Sequence, residues 1–525
     1  MPKKKKKFRT LLTVITAIAV MTGCAGNTAN QNTPVANQNT PAANENTTAA
    51  VVETPVETKK EPLKIAMMAG LQTPDVPDPT IEKMVEEATN TELDIQWVPT
   101  ASYDEKLNAS FATGTLPQAT YVGLPSLISL RNAIRNNQFW EIGPLLKDYP
   151  NLSKLKPEVL RNTSVDGKIY ALYQERPLSR QGFIYRKDWA DKLGLQAPTT
   201  TEEFFTMLEK FTKEDPDGNG KHDTIGLADR SDLIYGAFKT VSSWFGTPNN
   251  WAVQDGKLVP EFMTPEYMET MNFFKRTYDA GYMNKDFPVT EKQAQHNMII
   301  SGKAGVYVGS LGDVGSLHQK IAEPNPNALL DVHSKVAAPG KEYGIWAIPG
   351  FAAVVLFPKS AVKTEEELKE ILAFYDKLMS PELANLTRWG IEGKHYTVED
   401  GKVLPSEDRA MFEREVKPYI SLQIGGISII EGFLDAKRPI PSAAKAEELI
   451  QDNNNYLIHD PTPALDSATF TQDGARLQEL IKDATYKYML GNIDEAGFKA
   501  AVDQWLKQGG QKIIDELSSS YAAAQ

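Results

Sequence analysis

The run Asp215-Pro216-Asp217-Gly218-Asn219-Gly220-Lys221-His222-Asp223 places oxygen-bearing side chains at positions 1, 3, 5 and 9 of a loop and a glycine at position 6. This is the spacing by which an EF-hand loop wraps a hard cation. Alternate side chains point inward, the carbonyl at position 7 adds an oxygen, and glycine permits the sharp turn. The expected ligands are the side chains of Asp215, Asp217, Asn219 and Asp223 with the Lys221 carbonyl, and the expected cofactor is a structural Ca²⁺. Position 12 is Gly226 rather than a bidentate Glu, so both oxygens of Asp223, a water or a distant residue must complete the shell. A solvated acidic turn is the plainer alternative.

Other chemistry finds little support. The histidines, His222, His296, His318, His333, His395 and His459, are scattered without HExxH spacing, which argues against a zinc hydrolase. Gly309-Ser310-Leu311-Gly312 misses the GxSxG nucleophile elbow, and Gly220-Lys221-His222 lacks the Ser or Thr of a P-loop. Two carboxylates suffice for glycoside cleavage, but no placement of Asp or Glu is diagnostic. The chain is therefore not expected to be an enzyme, and an anchored glycan-degrading enzyme is the weaker alternative.

The sole cysteine, Cys24, excludes an intrachain disulfide. It follows a cationic stretch, Lys3 to Arg9, and an apolar run, Leu11 to Met21, that is too short for a stable transmembrane helix but right for a secretory signal. Met21-Thr22-Gly23-Cys24 resembles a bacterial lipobox, with Met21 in place of the usual Leu. Residues 1–23 are thus expected to be a lipoprotein signal peptide and Cys24 the lipidated residue, held because each buried CH₂ contributes roughly 0.8 kcal/mol. From Cys24 to Glu61 the chain has no aromatic residue and is rich in Asn, Thr, Ala and Pro, which predicts a disordered tether.

Lys3 to Lys7 and Arg9 are the charges of residues 1–23, so the rest of the 525-residue chain carries −18 where the whole carries −12. Such a surface repels phosphate backbones, and no basic footprint for nucleic acid is present. By the same net charge acidic sugars are disfavoured, although local charge in a cleft can reverse that preference. The chain exceeds a single ordinary core, which points to a pair of lobes.

Leu63-Lys64-Ile65-Ala66-Met67-Met68 predicts a strand, Thr80 to Ala88 a helix, Leu93 to Val98 a strand, Tyr103 to Phe111 a helix and Ala119 to Val122 a strand. That succession argues for a parallel sheet flanked by helices, with ligand outside the strand carboxyl ends. Thr200 with Glu203, and Thr364 with Glu367, read as capping boxes. Leu368, Ile371, Leu372 and Tyr375 form one apolar helix face. The region from about Ala443 is mostly helical in pattern, with Gly491 as a stop.

Several longer stretches occur together in one family. Tyr185-Arg186-Lys187-Asp188-Trp189, Leu193-Gly194-Leu195, Pro198-Thr199-Thr200 and the Asp215 loop with Asp223-Thr224-Ile225-Gly226-Leu227 are in the order found in family 1 extracellular solute-binding proteins. Phe245 to Trp251, Asp286-Phe287, Gly302 to Tyr307 and Trp389 to Tyr396 are similar to the LplA-type lipoproteins of Gram-positive bacteria. The resemblance runs from about residue 62 to the end. It implies a type II periplasmic-binding-protein fold: two α/β lobes with a hinge and an interlobe cleft. The implied N-terminal lobe is 62–178 plus 351–425, the C-terminal lobe 185–350 plus 430–525, and the hinge lies near 171–185, 343–358 and 425–430. Such a protein is the monomeric capture subunit of an ABC importer. It is anchored by lipid outside the cytoplasmic membrane and delivers a carbohydrate or other polar solute to permease subunits.

Sugars are held by aromatic faces over their C–H surfaces and by planar side chains on their hydroxyls. In segments that the family fold brings toward the cleft, Trp244, Trp251, Trp346 and Trp389 are the stacking candidates, with Tyr121 and Tyr396 beside them. Gln174, Glu175, Arg180 and Asp313 are the polar candidates; Glu175 and Arg180 could equally pair across the hinge. A solute-sensing or adhesion lipoprotein on the same scaffold is the other alternative.

Overall fold

The computed structural model describes residues 61–71 and 77–524. The expected signal peptide, Cys24 and nearly all of the tether lie outside the described residues. Residues 61–525 form one compact unit. Among the described residues no helix is long and apolar enough to cross a membrane.

In chain order the strands are β1 Leu63–Leu71, β2 Thr91–Pro99, β3 Ala119–Val122, β4 Ala171–Glu175, β5 Gln181–Arg186, β6 Ile225–Ala228, β7 Trp251–Gln254, β8 Lys257–Pro260, β9 Ala304–Ser310, β10 Leu330–His333, β11 Ile345–Trp346, β12 Phe351–Leu356, β13 Tyr396–Glu399, β14 Lys402–Pro405 and β15 Leu457–Ile458. The first sheet has the order β2-β1-β3-β12-β4 and the second β10-β5-β9-β6. The predicted strand–helix alternation at the start is present: β1 pairs in parallel with both β2 and β3, and helices Thr80–Thr89 and Tyr103–Thr113 connect them. The sheet is not wholly parallel, because β12 runs antiparallel to both β3 and β4.

Each sheet has its own core, which gives two α/β lobes. Ile65, Met67, Val122, Leu172 and Val355 of the first sheet pack with the predicted stripe Leu368, Ile371, Leu372 and Tyr375 of helix Glu365–Leu378. The second sheet is covered on both faces. Phe183 and Tyr185 of β5 face one cluster and Ile184 the other, as the two-residue period of a strand requires. A further cluster joins Trp251 and Leu258 to the C-terminal helices Ala468–Met489, Glu495–Trp505 and Gln511–Ala523.

The chain passes from the first sheet to the second between Glu175 and Gln181, and returns between Trp346 and Phe351. Near Gly425 it meets the first passage again, where Gly425 bridges Gln174. Two of these places need glycine. Gly350 has φ +89° with the Leu178 and Val159 side chains below 3 Å from any added Cβ, and Gly425 has φ +65°.

Candidate ligand-binding site

Two adjoining cavities of about 510 and about 1160 Å³ lie at the passages between the sheets, sharing Ser231, Asp232, Tyr235, Trp346 and Ile348 as walls. The smaller is walled on one side by the first passage, Arg176 to Gln181, and on the other by the loop after β6 and the end of β9. β6 and β9 are parallel, so the loop and Ser310 both stand at carboxyl ends of strands, where ligands of α/β sheets bind. The larger runs between helix Leu124–Arg135 and residues 459–482.

The loop after β6 is built to hold one aromatic ring in the open. Asp229, 3% exposed, accepts a hydrogen bond from the Ala237 amide (2.9 Å) at the start of helix Ala237–Trp244. Asp232 accepts from the amides of Ile234 and Tyr235 at 3.0 and 2.9 Å. Gly236 sits so close to the Asp232 carbonyl that an added Cβ would lie 2.3 Å from it. Tyr235 is left 49% exposed, its ring 5.7 Å from that of Trp346. Trp346 is nearly buried and donates from Nε1 to Thr240 Oγ1 (3.2 Å). One tyrosine face is thus left open at the cavity, with a fixed indole behind it.

The smaller cavity is cationic. Arg176, Arg180, Arg230 and Lys292 line it against Asp232 and Glu291. Arg230 is held by Gln295 Oε1 (3.2 Å) and the Tyr235 carbonyl, and Lys292 by Asp313 (2.9 Å). The local charge therefore opposes the net charge of the chain and removes the argument against acidic sugars. Partial desolvation, then the neighbouring Arg180 charge, lower the Arg176 pKa from its usual value. Burial above all pushes the Asp229 carboxyl up to about 6, against the pull of the Ala237 amide and Arg230.

Of the residues picked from sequence, Trp346 and Arg180 line the smaller cavity, and Trp251 with Trp346 the larger. Asp313 stands behind the wall, accepting from Tyr307 (2.7 Å) and Lys292. The others line neither cavity. Trp244 is fully buried against Phe183 and Phe204, because every face of its helix is enclosed. Tyr121 is a core residue whose hydroxyl meets that of Tyr375 (3.2 Å). Trp389 is tied to the Leu434 carbonyl (2.9 Å) with Arg388 over its ring, and Tyr396 starts the β13–β14 hairpin. Gln174 and Glu175, at the end of β4, fasten the start of the first passage to the segment around Gly425. Gln174 Nε2 donates to the Ile420 carbonyl (2.7 Å); Glu175 accepts from Ser428 and pairs with Lys156 (2.8 Å) rather than with Arg180. Missed from sequence were Arg176, Ser179, Gln181, Arg230 and Tyr235. Their signal was position: either in the first passage beside Arg180 or directly after the Ile225-Gly226-Leu227 strand.

In the Asp215 loop the expected side chains do meet. Asn219 Nδ2 donates to Asp217 Oδ2 (2.8 Å) and Asp223 Oδ1 (3.1 Å), while Asp215 accepts from the Asn219 and Gly220 amides, both at 3.1 Å. Desolvation first, then hydrogen bonding and repulsion from Asp215 and repulsion from Asp223, raise the Asp217 pKa. Among the described residues no group of three or more His, Cys, Asp or Glu side chains is already gathered around a metal position. The oxygens here are bridged by the Asn219 amide instead.

The profile of the family described as bacterial extracellular solute-binding protein matches residues 73–383. This chain belongs to that family. The solute-binding protein is 41% identical over 466 residues to the polygalacturonan/rhamnogalacturonan-binding protein YtcQ of Bacillus subtilis, covering 88% of this chain and 92% of YtcQ. It is 35% identical to lipoprotein LipO of the same organism, covering 88% and 93%. Its fold matches that of the Streptococcus pneumoniae substrate-binding protein FusA, solved as an EF-hand mutant with fructo-nystose. That match has a TM-score of 0.63 at 19% identity and covers 87% of this chain and 99% of FusA.

Proposed function

We propose that this solute-binding protein is the capture subunit of an ABC importer for an oligosaccharide carrying acidic units, of the kind named for its relative YtcQ. The observation that carries this reading is the cavity itself: a free tyrosine face backed by Trp346, beside arginines, at the junction of two separately packed sheets. An aromatic face covers the C–H side of a pyranose and guanidinium groups take carboxylates or hydroxyls. The adjoining larger cavity extends the groove for further units. Trp346, Trp251, Tyr235, Arg176 and Arg180 are the proposed contacts. Residues 171–185, 343–358 and 425–430 are the proposed hinge, about which the N-terminal lobe (62–178 plus 351–425) and the C-terminal lobe (185–350 plus 430–525) close. Only tighter binding to the closed form can drive that closure. The cargo leaves unaltered.

Two further parts complete the proposal. Cys24 carries the lipid that anchors the protein outside the cell, in keeping with the lipoprotein relative. Asp215, Asp217, Asn219, Lys221 (through its carbonyl) and Asp223 would hold a structural Ca²⁺. What supports this is that Asn219 joins Asp217 to Asp223 and that the Asp217 pKa is raised, which a cation would reverse. FusA, similar in fold, is itself known as an EF-hand mutant, which supports a calcium loop here.

The test is a thermal-shift panel on the full chain in detergent, with galacturonan and rhamnogalacturonan fragments beside neutral plant and microbial oligosaccharides. A ligand that binds only the folded state raises Tm. The acidic fragments should do so without being cleaved; a flat panel, or turnover of a glycan, overturns the reading.

A further inference from the structure

Free positive charge in the groove is confined to one end. In the larger cavity each cation is already answered. Arg131 donates to the Leu465 carbonyl (2.7 Å) and meets Asp466 (3.3 Å), and Arg135 pairs with Asp166 (2.9 Å). Lys239 is held between Asn250 (2.7 Å) and Glu261 (2.5 Å), and Lys482 meets Glu479 (3.0 Å). In the smaller cavity Arg230 and Lys292 are likewise occupied. Arg176 and Arg180 are different: among the described residues neither guanidinium meets a carboxylate or a hydrogen-bond acceptor, although they are close enough to repel each other.

On either side of Arg180 in the same segment are two buried acceptors without a partner among the described residues, Ser179 Oγ and Gln181 Oε1, in residues 2% and 5% exposed. Buried polar groups are nearly always satisfied, so one at a cavity wall calls for a partner, a water or a ligand, that the described residues do not supply. The six residues Arg176 to Gln181 thus bring two forked cations to the cavity wall, with two unanswered polar atoms in residues that line the same cavity. Glu291, which also lines it, is an exposed carboxylate at its wall.

We infer that this passage reads a single carboxylate-bearing sugar unit, seated at the hinge end of the groove by Arg176 and Arg180 with its hydroxyls on Ser179 and Gln181. The remaining units lie along the larger cavity, where no unanswered cation waits for a second acid. Acidity is then required at one unit and is dispensable elsewhere. The inference rests on the glycan reading above and deepens it.

Titration calorimetry of the full chain in detergent tests it with three probes: trigalacturonate, trigalacturonates methyl-esterified at every unit but one, and the fully esterified trimer. One of the singly acidic trimers should bind as tightly as trigalacturonate, and the fully esterified one about tenfold or more weaker, the worth of a charge-assisted hydrogen bond. Arg176→Gln and Arg180→Gln should each narrow that gap and flatten its dependence on salt, with Tm in the absence of ligand showing that the variants fold. Affinity that falls stepwise with every added ester, or variants that keep the full gap, would overturn the single-unit assignment while leaving the glycan reading in place. No binding to any trimer would remove both.

Discussion

A single ring, Tyr235, separates binding from stability at the residue scale. It is half exposed and touches little besides Trp346, whereas Trp346 is 4% exposed and hydrogen-bonded to Thr240. Tyr235→Ala should therefore weaken ligand binding by about tenfold, the scale of a lost aromatic face, with an unchanged denaturation midpoint. Trp346→Ala should cost about 3–5 kcal/mol of stability in urea titration as well. Asp229 gives a pH signature. Its folded pKa of about 6 lies above the unfolded value of 3.8, so its contribution to stability is full below the unfolded value and is lost as pH rises through about 6. Asp229→Asn keeps an acceptor for Ala237 and removes that loss. Its Tm should exceed that of the wild type at pH 7.5 by more than it does at pH 4, by an amount worth at most about 3 kcal/mol. A difference that does not vary with pH would contradict this. The residue scale was also the least legible in sequence. Trp244 and Trp346 look equally suited to stacking as letters, and only enclosure of helix Ala237–Trp244 turns one of them into core.

Local devices at the scale of the element were far easier to read. Thr200 accepts from the Glu203 amide and the Glu203 carboxylate returns to the Thr200 amide, completing the box expected from four residues. The second box is only half made. Thr364 accepts from the Glu367 amide, but the Glu367 carboxylate takes the Lys363 amide (2.7 Å) and Gln118 Nε2 (2.6 Å) instead of the Thr364 amide. A partner 249 positions away decided it. The Asp215 loop belongs to this scale too, since all its donors come from nine consecutive residues. Chelation with EDTA at neutral pH should lower Tm of the full chain, and Asp217→Ala should abolish the sensitivity. An EDTA-independent Tm for the wild type would show that the loop closes on Asn219 alone.

For the whole molecule, the important contact is across the groove. Helix Leu124–Arg135 packs in the first core, while Leu465 packs with Trp251 and the C-terminal helices. Arg131 and Arg135 join the two through the Leu465 and Pro463 carbonyls and Asp466. Arg131 is almost wholly buried in doing so, and breaking a buried pair leaves an uncompensated charge. Asp466→Ala should favour an opened arrangement, seen as a larger radius of gyration in solution scattering without ligand and as weaker binding, because closure is then stabilised less. An unchanged radius and affinity would show that the contact does not hold the lobes. The amino-acid sequence by itself determined the strand–helix alternation, the apolar stripe on helix Glu365–Leu378, the first cap and the gathering of the Asp215 loop. It also carried the family, through motifs spread from Tyr185 to Tyr396. All of these depend on neighbours within a few positions or on ordered short runs. Tertiary structure alone decided which aromatics are exposed, that β12 runs antiparallel to β3 and β4, and that the cleft of an acidic protein is lined by free arginines. Those outcomes depend on residues from distant segments meeting, and neither periodicity nor net charge records where on the surface a charge will stand.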